Sequence, residues 1–252
     1  MRTALLENGF FWTTHLILYY AASSIADSVY TRMNQLRTKR DLPGIHSVAM
    51  NREIWRSWDW ESGGEEWTPS VEWKKSLTDS VLLKYMTKGG RILEVGPGAG
   101  RWTETLQKIA GHLIAIDISD RCIEICKRKF AGCDNAEFLV SNGSEVPLVE
   151  DDSIDSIWSF DVFVHINAPE AGEYVKEFKR VLRAGGHAAI HHGQDGGVHG
   201  GWRSNLTSKT FRAILEANGF RILTQFAEWR DGEQVFKISQ YGDLLTVFEN
   251  PG

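Results

Sequence analysis

Three short stretches carry residues that could hold a polar small molecule. In Glu94-Val95-Gly96-Pro97-Gly98-Ala99-Gly100, glycines alternate behind an acid, so a chain turning there offers bare backbone to a ligand. Asp117 closes the apolar run Leu113 to Asp117 at the downstream distance where an acid accepts both hydroxyls of a ribose and repels a 2′-phosphate. Ser141-Asn142-Gly143 ends a third run and offers an amide oxygen and a backbone N–H, suited to the exocyclic amine and a ring nitrogen of adenine. Each stretch alone is a routine cap or turn former. All three in order, each ending its own apolar run, point to one nucleoside-bearing ligand.

Such residues converge only if the runs lie side by side. From Gly89 onward, apolar runs at Arg91 to Val95, Leu113 to Asp117, Ala136 to Ser141, Ile154 to Ser159 and Gly186 to His191 read as strands. Between or after them, Trp102 to Ala110, Asp120 to Phe130 behind an N-capping Ser119, Glu170 to Leu182, and Ser208 to Asn218 ended by Gly219 read as helices. This alternation predicts an α/β doubly wound parallel sheet, whose ligands sit beyond the carboxyl ends of the strands. Phe220 to Ala227 and Leu244 to Glu249 follow with no helical pattern between them, so the last strand is expected to return antiparallel. The dinucleotide fingerprint needs its third glycine where this chain has Arg101, which counts against a nicotinamide-dependent oxidoreductase.

With ILEVGPGAGRW, AIDIS, SNGSEVP and IDSIWSFDVFVHI in sequence, the chain from about Gly89 to Pro251 resembles the class I S-adenosylmethionine-dependent methyltransferases, in particular their small-molecule branch. The resemblance implies a Rossmann-like seven-stranded sheet with an antiparallel last strand and S-adenosyl-L-methionine as cofactor. It implies Glu94, Gly96, Gly98 and Gly100 at the methionine part, Asp117 at the ribose, Asn142 and Gly143 at the adenine, and Ser159 at the cofactor side of the fourth strand. Asn142 stands where the family often has Asp, keeping an acceptor oxygen without the charge.

Methyl transfer from a sulfonium needs alignment, exclusion of water and, for a protonated amine or a hydroxyl, removal of a proton. Asp161, His165, His191 and His192 lie where that group would be, with His165 and His191 as the catalytic expectation. Strand alternation lets at most one of His191 and His192 face the ligand. His192, Trp202 and Arg203 are expected to contact the acceptor, under a Gly-rich loop from Gly193 to Gly201 that closes over it. His187, His191, His192 and His199, with Asp195, are not read as a metal site, because alternation separates neighbours and no helical pairing of ligands supports one.

The N-terminal side is less legible. Residues 1–75 read as a helical, tryptophan-rich extension and residues 76–252 as the cofactor-binding domain. Between Glu7 and Asp27 there is no formal charge, but Asn8, Thr13, Thr14, His15, Ser23 and Ser24 interrupt the run, arguing against a spanning helix. Val29, Met33 and Leu36 beside Arg32, Arg37, Lys39 and Arg40 continue it as an amphipathic helix, suited to packing, to a homodimer or to peripheral membrane contact. From Trp55 to Trp73, five tryptophans alternate with acids; Trp67 and Glu66 are expected at the acceptor, where aromatic faces beside carboxylates suit an organic cation. The bulk of the same tryptophans first suits them as anchors pinning a loop-rich segment to the domain.

A net charge of −5 without a basic run excludes nucleic acid as main partner and leaves a small-molecule methyl acceptor, at nitrogen or oxygen. Three cysteines without zinc or redox spacing read as reduced thiols of a cytoplasmic protein. A non-catalytic cofactor-binding scaffold, partnered through the N-terminal helix, is the reading from another class.

Overall fold

Successive apolar runs separated by helix-length amphipathic segments can bury themselves only by stacking strands edge to edge with helices on both faces. The computed structural model describes residues 2–40, 42–197 and 202–252. In chain order its elements are helices α1 (Arg2–Arg40), α2 (Val48–Ser57), α3 (Val71–Leu77) and α4 (Leu83–Tyr85), then β1 (Arg91–Val95), α5 (Thr103–Ile109), β2 (His112–Asp117), α6 (Asp120–Lys129), β3 (Ala136–Val140), β4 (Ile154–Ser159), α7 (Ala168–Val181), β5 (Leu182–His192), α8 (Ser208–Ala217), β6 (Arg221–Phe226), β7 (Glu228–Asp231), β8 (Gln234–Lys237) and β9 (Leu244–Glu249). A single π-type turn, Thr78–Leu82, joins α3 to α4.

The main sheet has seven strands in the order β3-β2-β1-β4-β5-β9-β6. The first five run parallel, and β9 pairs antiparallel with both β5 and β6. Strand order reverses between β1 and β4, which opens a crevice above that pair. The expected sheet and its antiparallel strand are therefore present. Two details differ: β5 begins at Leu182 rather than Gly186, and a β7–β8 hairpin turning at Gly232 separates β6 from β9. That hairpin is built from residues too polar to stand out as strands, and its Trp229 docks on Trp73 and donates to the Ser76 hydroxyl (2.9 Å).

The core divides by the two-residue period of the strands. Leu93, Val95, Ile114, Ile116, Ile157 and Ile190 face α7 and α8, whereas Ile92, Trp158, Ala189 and Val247 face the layer holding Trp73, Leu77 and Trp102. Ser119 caps α6 as expected, its Oγ accepting from the Cys122 N–H, and Thr207 caps α8 by accepting from the Thr210 N–H.

Compact units divide between Ile45 and His46, earlier than the expected boundary at 75/76. Residues 46–75 belong to the sheet domain, where Trp73 packs on Trp102 and Phe160. In the first unit, α1 breaks its helical geometry at Gly9 (φ 78°) and leaves Phe10, Phe11, Tyr19, Tyr20 and Val29 exposed. Its apolar residues surround the axis instead of forming the expected amphipathic stripe, because Phe10-Phe11-Trp12 and Leu16-Ile17-Leu18 are consecutive. No helix among the described residues is long and apolar enough to cross a membrane.

Candidate active site

A cavity of about 820 Å³ opens above the β1–β4 crevice. One wall is the strand-end wall: Gly96, Gly98, Asp117 and Gly143, with Ile118 between them. Asp117 Oδ2 accepts from the Gly98 N–H (3.2 Å) and Oδ1 from the Ser119 N–H (2.8 Å), so the acid fastens the glycine turn to the end of β2. Burial pushes its carboxyl up to about 6, against the pull of those N–H groups.

The glycines make room for the chain's own side chains. A Cβ on Gly98 (φ 56°) would stand 2.9 Å from the Trp60 indole, and one on Gly96 would strike Val162. Gly100 faces away from the cavity, against Phe130. Trp60 therefore lies on the turn that sequence reasoning left bare.

Three further expectations for the cofactor wall are corrected. Glu94 does not line the cavity: β1 alternation turns it toward α5, where Oε2 accepts from the Thr103 hydroxyl (2.6 Å) and burial raises its carboxyl to about 8. Ser159 is wholly buried and donates to the Val95 carbonyl (2.9 Å), tying β4 to β1. Asn142 is exposed and off the cavity, with its side-chain oxygen accepting from the N–H groups of Ser144 and Glu145 at 3.0 Å each. The local Asx turn wins because it satisfies two backbone donors at once.

The two histidines at the end of β5 divide between faces, as alternation requires. His192 is wholly buried on the α8 side, between the Thr246 hydroxyl (2.6 Å), the Gly193 carbonyl (2.8 Å) and the Phe211 ring, so it does not contact an acceptor in this arrangement. His191 turns to the cavity side but stays behind the wall: Nδ1 is 3.1 Å from Asp161 Oδ1, and Nε2 is 3.4 Å from Asp243 Oδ2. Burial alone would lower its pKa; the two carboxylates outweigh burial and raise it, while Nδ1 also accepts from the Asp161 N–H (3.0 Å). Arg101 pairs with Asp161 (2.5 Å) and Arg203 with Asp243 (2.5 Å). The result is an alternating chain, Arg101, Asp161, His191, Asp243 and Arg203, in which Arg101, Asp161 and Arg203 reach the cavity wall and His191 and Asp243 lie behind it. Burial opposes ionisation of both aspartates, but their cationic neighbours hold each well below the usual carboxylate range. Asp161, at φ 61°, holds a conformation rare outside glycine, as expected where a strand end is bent to aim a side chain.

His165 does line the cavity. Its Nδ1 donates to the Trp202 carbonyl (2.9 Å), which leaves the lone pair on Nε2. Burial first, then Arg203 and His46, bring its pKa down to about 3, so the ring is neutral. Trp202 (φ 56°) and Arg203 also reach the wall, with the Arg203 guanidinium 4.5 Å from the Tyr241 ring centroid. Residues 198–201 of the Gly-rich loop, including His199, lie outside the described residues; among those described, no group of three metal-ligating side chains converges.

Over the top lies residue range 46–69. The rings of Trp55, Trp58, Trp60 and Trp67 contact one another at centroid separations of 5.5–6.2 Å. Glu66 lines the cavity, but its oxygens accept from Trp58 Nε1 (2.9 Å) and the Ser62 hydroxyl. The four rings form an aromatic roof over the cavity, with Trp67 and Glu66 in its lining as expected.

Sequence reasoning missed Arg101, Asp243, Tyr174 and Glu170 as wall or floor residues. Only Arg101 had a local signal, its place directly after the glycine turn.

Comparison with known proteins agrees with this architecture. Residues 92–186 match the family described as methyltransferase domain. A phosphoethanolamine N-methyltransferase of Triticum aestivum is 34% identical over 109 residues, 43% of this chain and 21% of that protein. A demethylmenaquinone methyltransferase of Clavibacter sepedonicus is 30% identical over 118 residues, 47% of this chain and 46% of that one. The chain thus spans less than half the length of these curated relatives. Among solved structures, a complex of a Haloferax volcanii methyltransferase with its Trm112 activator superposes at TM-score 0.63 and 19% identity, covering 80% of this chain and 97% of that one. A geranyl diphosphate C-methyltransferase of Streptomyces coelicolor gives 0.59 at 11% identity, over 81% and 98%. Residues 92–186 thus match a methyltransferase domain, and the sheet order is the fold of these solved methyltransferase structures.

Proposed function

We propose that the chain moves a methyl group from S-adenosyl-L-methionine to a nitrogen or oxygen of a small molecule held in the aromatic cavity. The observation that carries this reading is that one cavity joins Asp117 and the glycine turn to His165 and Asp161. Its wall also contains a buried donor, Arg101 Nη1, and a buried acceptor, Glu170 Oε2, neither with a hydrogen-bond partner among the described residues. An unmet donor and an unmet acceptor on one wall fit a ligand bearing both a carboxylate and an amine. Asp117 would take the ribose hydroxyls, Ile118 and Gly143 the faces of the base, and Arg101 the carboxylate.

When bound, the cofactor supplies an electrophilic methyl group on a sulfonium. The protein's part is alignment and dryness. Trp60 and its neighbours cover the glycine turn and exclude water. His165, neutral and fixed as the Nδ1–H tautomer, offers Nε2 as acceptor for the acceptor's N–H or O–H and so orients the attacking lone pair. His191 holds Asp161 in place without touching the ligand. The curated relatives are named for phosphoethanolamine and demethylmenaquinone, which supports a small-molecule acceptor. The exposed aromatic residues of α1 support its use as a contact surface, and the unpaired thiols of Cys122, Cys126 and Cys133 support a reducing, cytoplasmic setting.

The test is calorimetric titration with S-adenosylhomocysteine, with NAD beside it. Micromolar binding of the first, lost in Asp117→Ala and absent with NAD, upholds the reading; no binding to folded protein overturns it. With binding established, mass-spectrometric screening of amines and hydroxyl compounds identifies the acceptor.

A further inference from the structure

Glu170 stands in the first turn of α7 and lines the cavity. Its Oε2 is buried and has no hydrogen-bond partner among the described residues. A first-turn acid usually caps backbone N–H groups or faces water, and this oxygen does neither. A buried carboxylate oxygen without a donor is costly, so a site that keeps one is built for a donor that arrives with a ligand.

The neighbourhood says which donor. Tyr174, one turn along the same face of α7, also lines the cavity and places its hydroxyl 3.3 Å from Ser141 Oγ. Ser141 Oγ in turn accepts from the Gly143 N–H (3.0 Å). A Cβ on Gly143 would stand 2.9 Å from Ile118 and 3.1 Å from Val48, so these residues frame a narrow apolar slot at the end of β2 and β3. A flat base fits a slot of that kind, and its edge needs a polar acceptor. Asn142, the residue at the turn, does not provide one, because its oxygen already accepts from Ser144 and Glu145 and it does not line the cavity.

We infer that Glu170 Oε2, brought beside the slot by α7, accepts the hydrogen bond of the adenine exocyclic amine and so selects adenine, a task that the turn after β3 leaves undone. The inference rests on the cofactor reading above.

The test is a double-mutant cycle in binding, read by calorimetry. The ligands are S-adenosylhomocysteine and its 6-deamino analogue, in which hydrogen replaces the exocyclic amine. The wild-type protein is expected to prefer the parent by about tenfold, the scale of one hydrogen bond to a charged group. Glu170→Ala should weaken the parent about tenfold and leave the analogue within about twofold, whereas Asn142→Ala should keep the preference. If the alanine variant does not fold, Glu170→Gln should bind the parent more weakly than wild type and show a smaller preference. Retention of the full preference in the Glu170 variants, its loss in Asn142→Ala, or its absence from the wild type overturns the inference. Failure of the wild type to bind S-adenosylhomocysteine at all removes the cofactor reading, and this one with it.

Discussion

The strand-end wall and the tryptophan roof enclose the same cavity but are held by different forces. On the wall, backbone and carboxylate bonds leave little freedom: the Gly96 N–H reaches the Ile116 carbonyl (2.8 Å), Asp117 clasps two N–H groups, and Ser159 locks β4 to β1. In the roof, polar links tie the helix to the rest of the domain, as from Asn51 to the His165 carbonyl (2.8 Å) and from Arg56 to Asp120 (3.3 Å), while the four indoles are held mainly by ring contact, with Trp58 bonded to Glu66 and Trp60 to the Trp55 carbonyl (3.0 Å). Directional bonds fix a geometry to tenths of an ångström, whereas apolar contact fixes it only by volume. Under the proposed function, the wall that would hold the cofactor is the directionally bonded half, and the roof that would meet the acceptor is the half held by ring contact.

The sharpest way to break this contrast is in the floor that supports the wall. Arg101→Leu leaves the half-buried Asp161 with only His191 opposite it, and should cost about 3 kcal/mol in urea unfolding. A loss below about 1 kcal/mol would mean that the alternating charges contribute no more than a surface pair. Next comes the wall itself. Asp117→Ala should weaken S-adenosylhomocysteine by about 2 to 3 kcal/mol, the range of charge-assisted hydrogen bonds, as read by calorimetry.

The third prediction concerns pH. Glu94 is raised to about 8 in the folded protein by burial, while in the unfolded chain it titrates at its ordinary acidic value. Folding therefore takes up a proton between those two values, and stability falls as pH rises through that window. Glu94→Gln removes the effect: its melting temperature should exceed that of the wild type at pH 8 and match it near pH 4, by differential scanning calorimetry. An equal difference at both pH values would mean that the carboxyl is not the source. The smallest effect belongs to the roof. Trp58→Phe keeps the ring contacts and loses one bond to Glu66, so unfolding should change by about 1 kcal/mol and S-adenosylhomocysteine binding by less than about twofold. A larger loss of cofactor affinity would show that roof and wall are one rigid body, and would erase the distinction.

Much of the wall was legible because its chemistry is local. Gly98 and Asp117 announce themselves by ending apolar runs, and the strands they end are spaced by helices of ordinary length. The same local logic misled at Asn142, where a turn former satisfied its own turn, and at Glu94, where alternation pointed the acid into the α5 interface. The alternation argument correctly separated His191 from His192, but it could not say how deep either would lie.

The sequence by itself determined the parallel sheet, the antiparallel return and the identity of the strand-end residues, because hydrophobic period and turn chemistry act over a few neighbouring residues. Only the tertiary structure decided that Trp60 covers the glycine turn, that Arg101, Asp161, His191, Asp243 and Arg203 form one chain of charged and imidazole groups, and that Glu170 lines the cavity. Those contacts join residues far apart in the chain, and their partners are chosen by how the layers pack rather than by any pattern written along it.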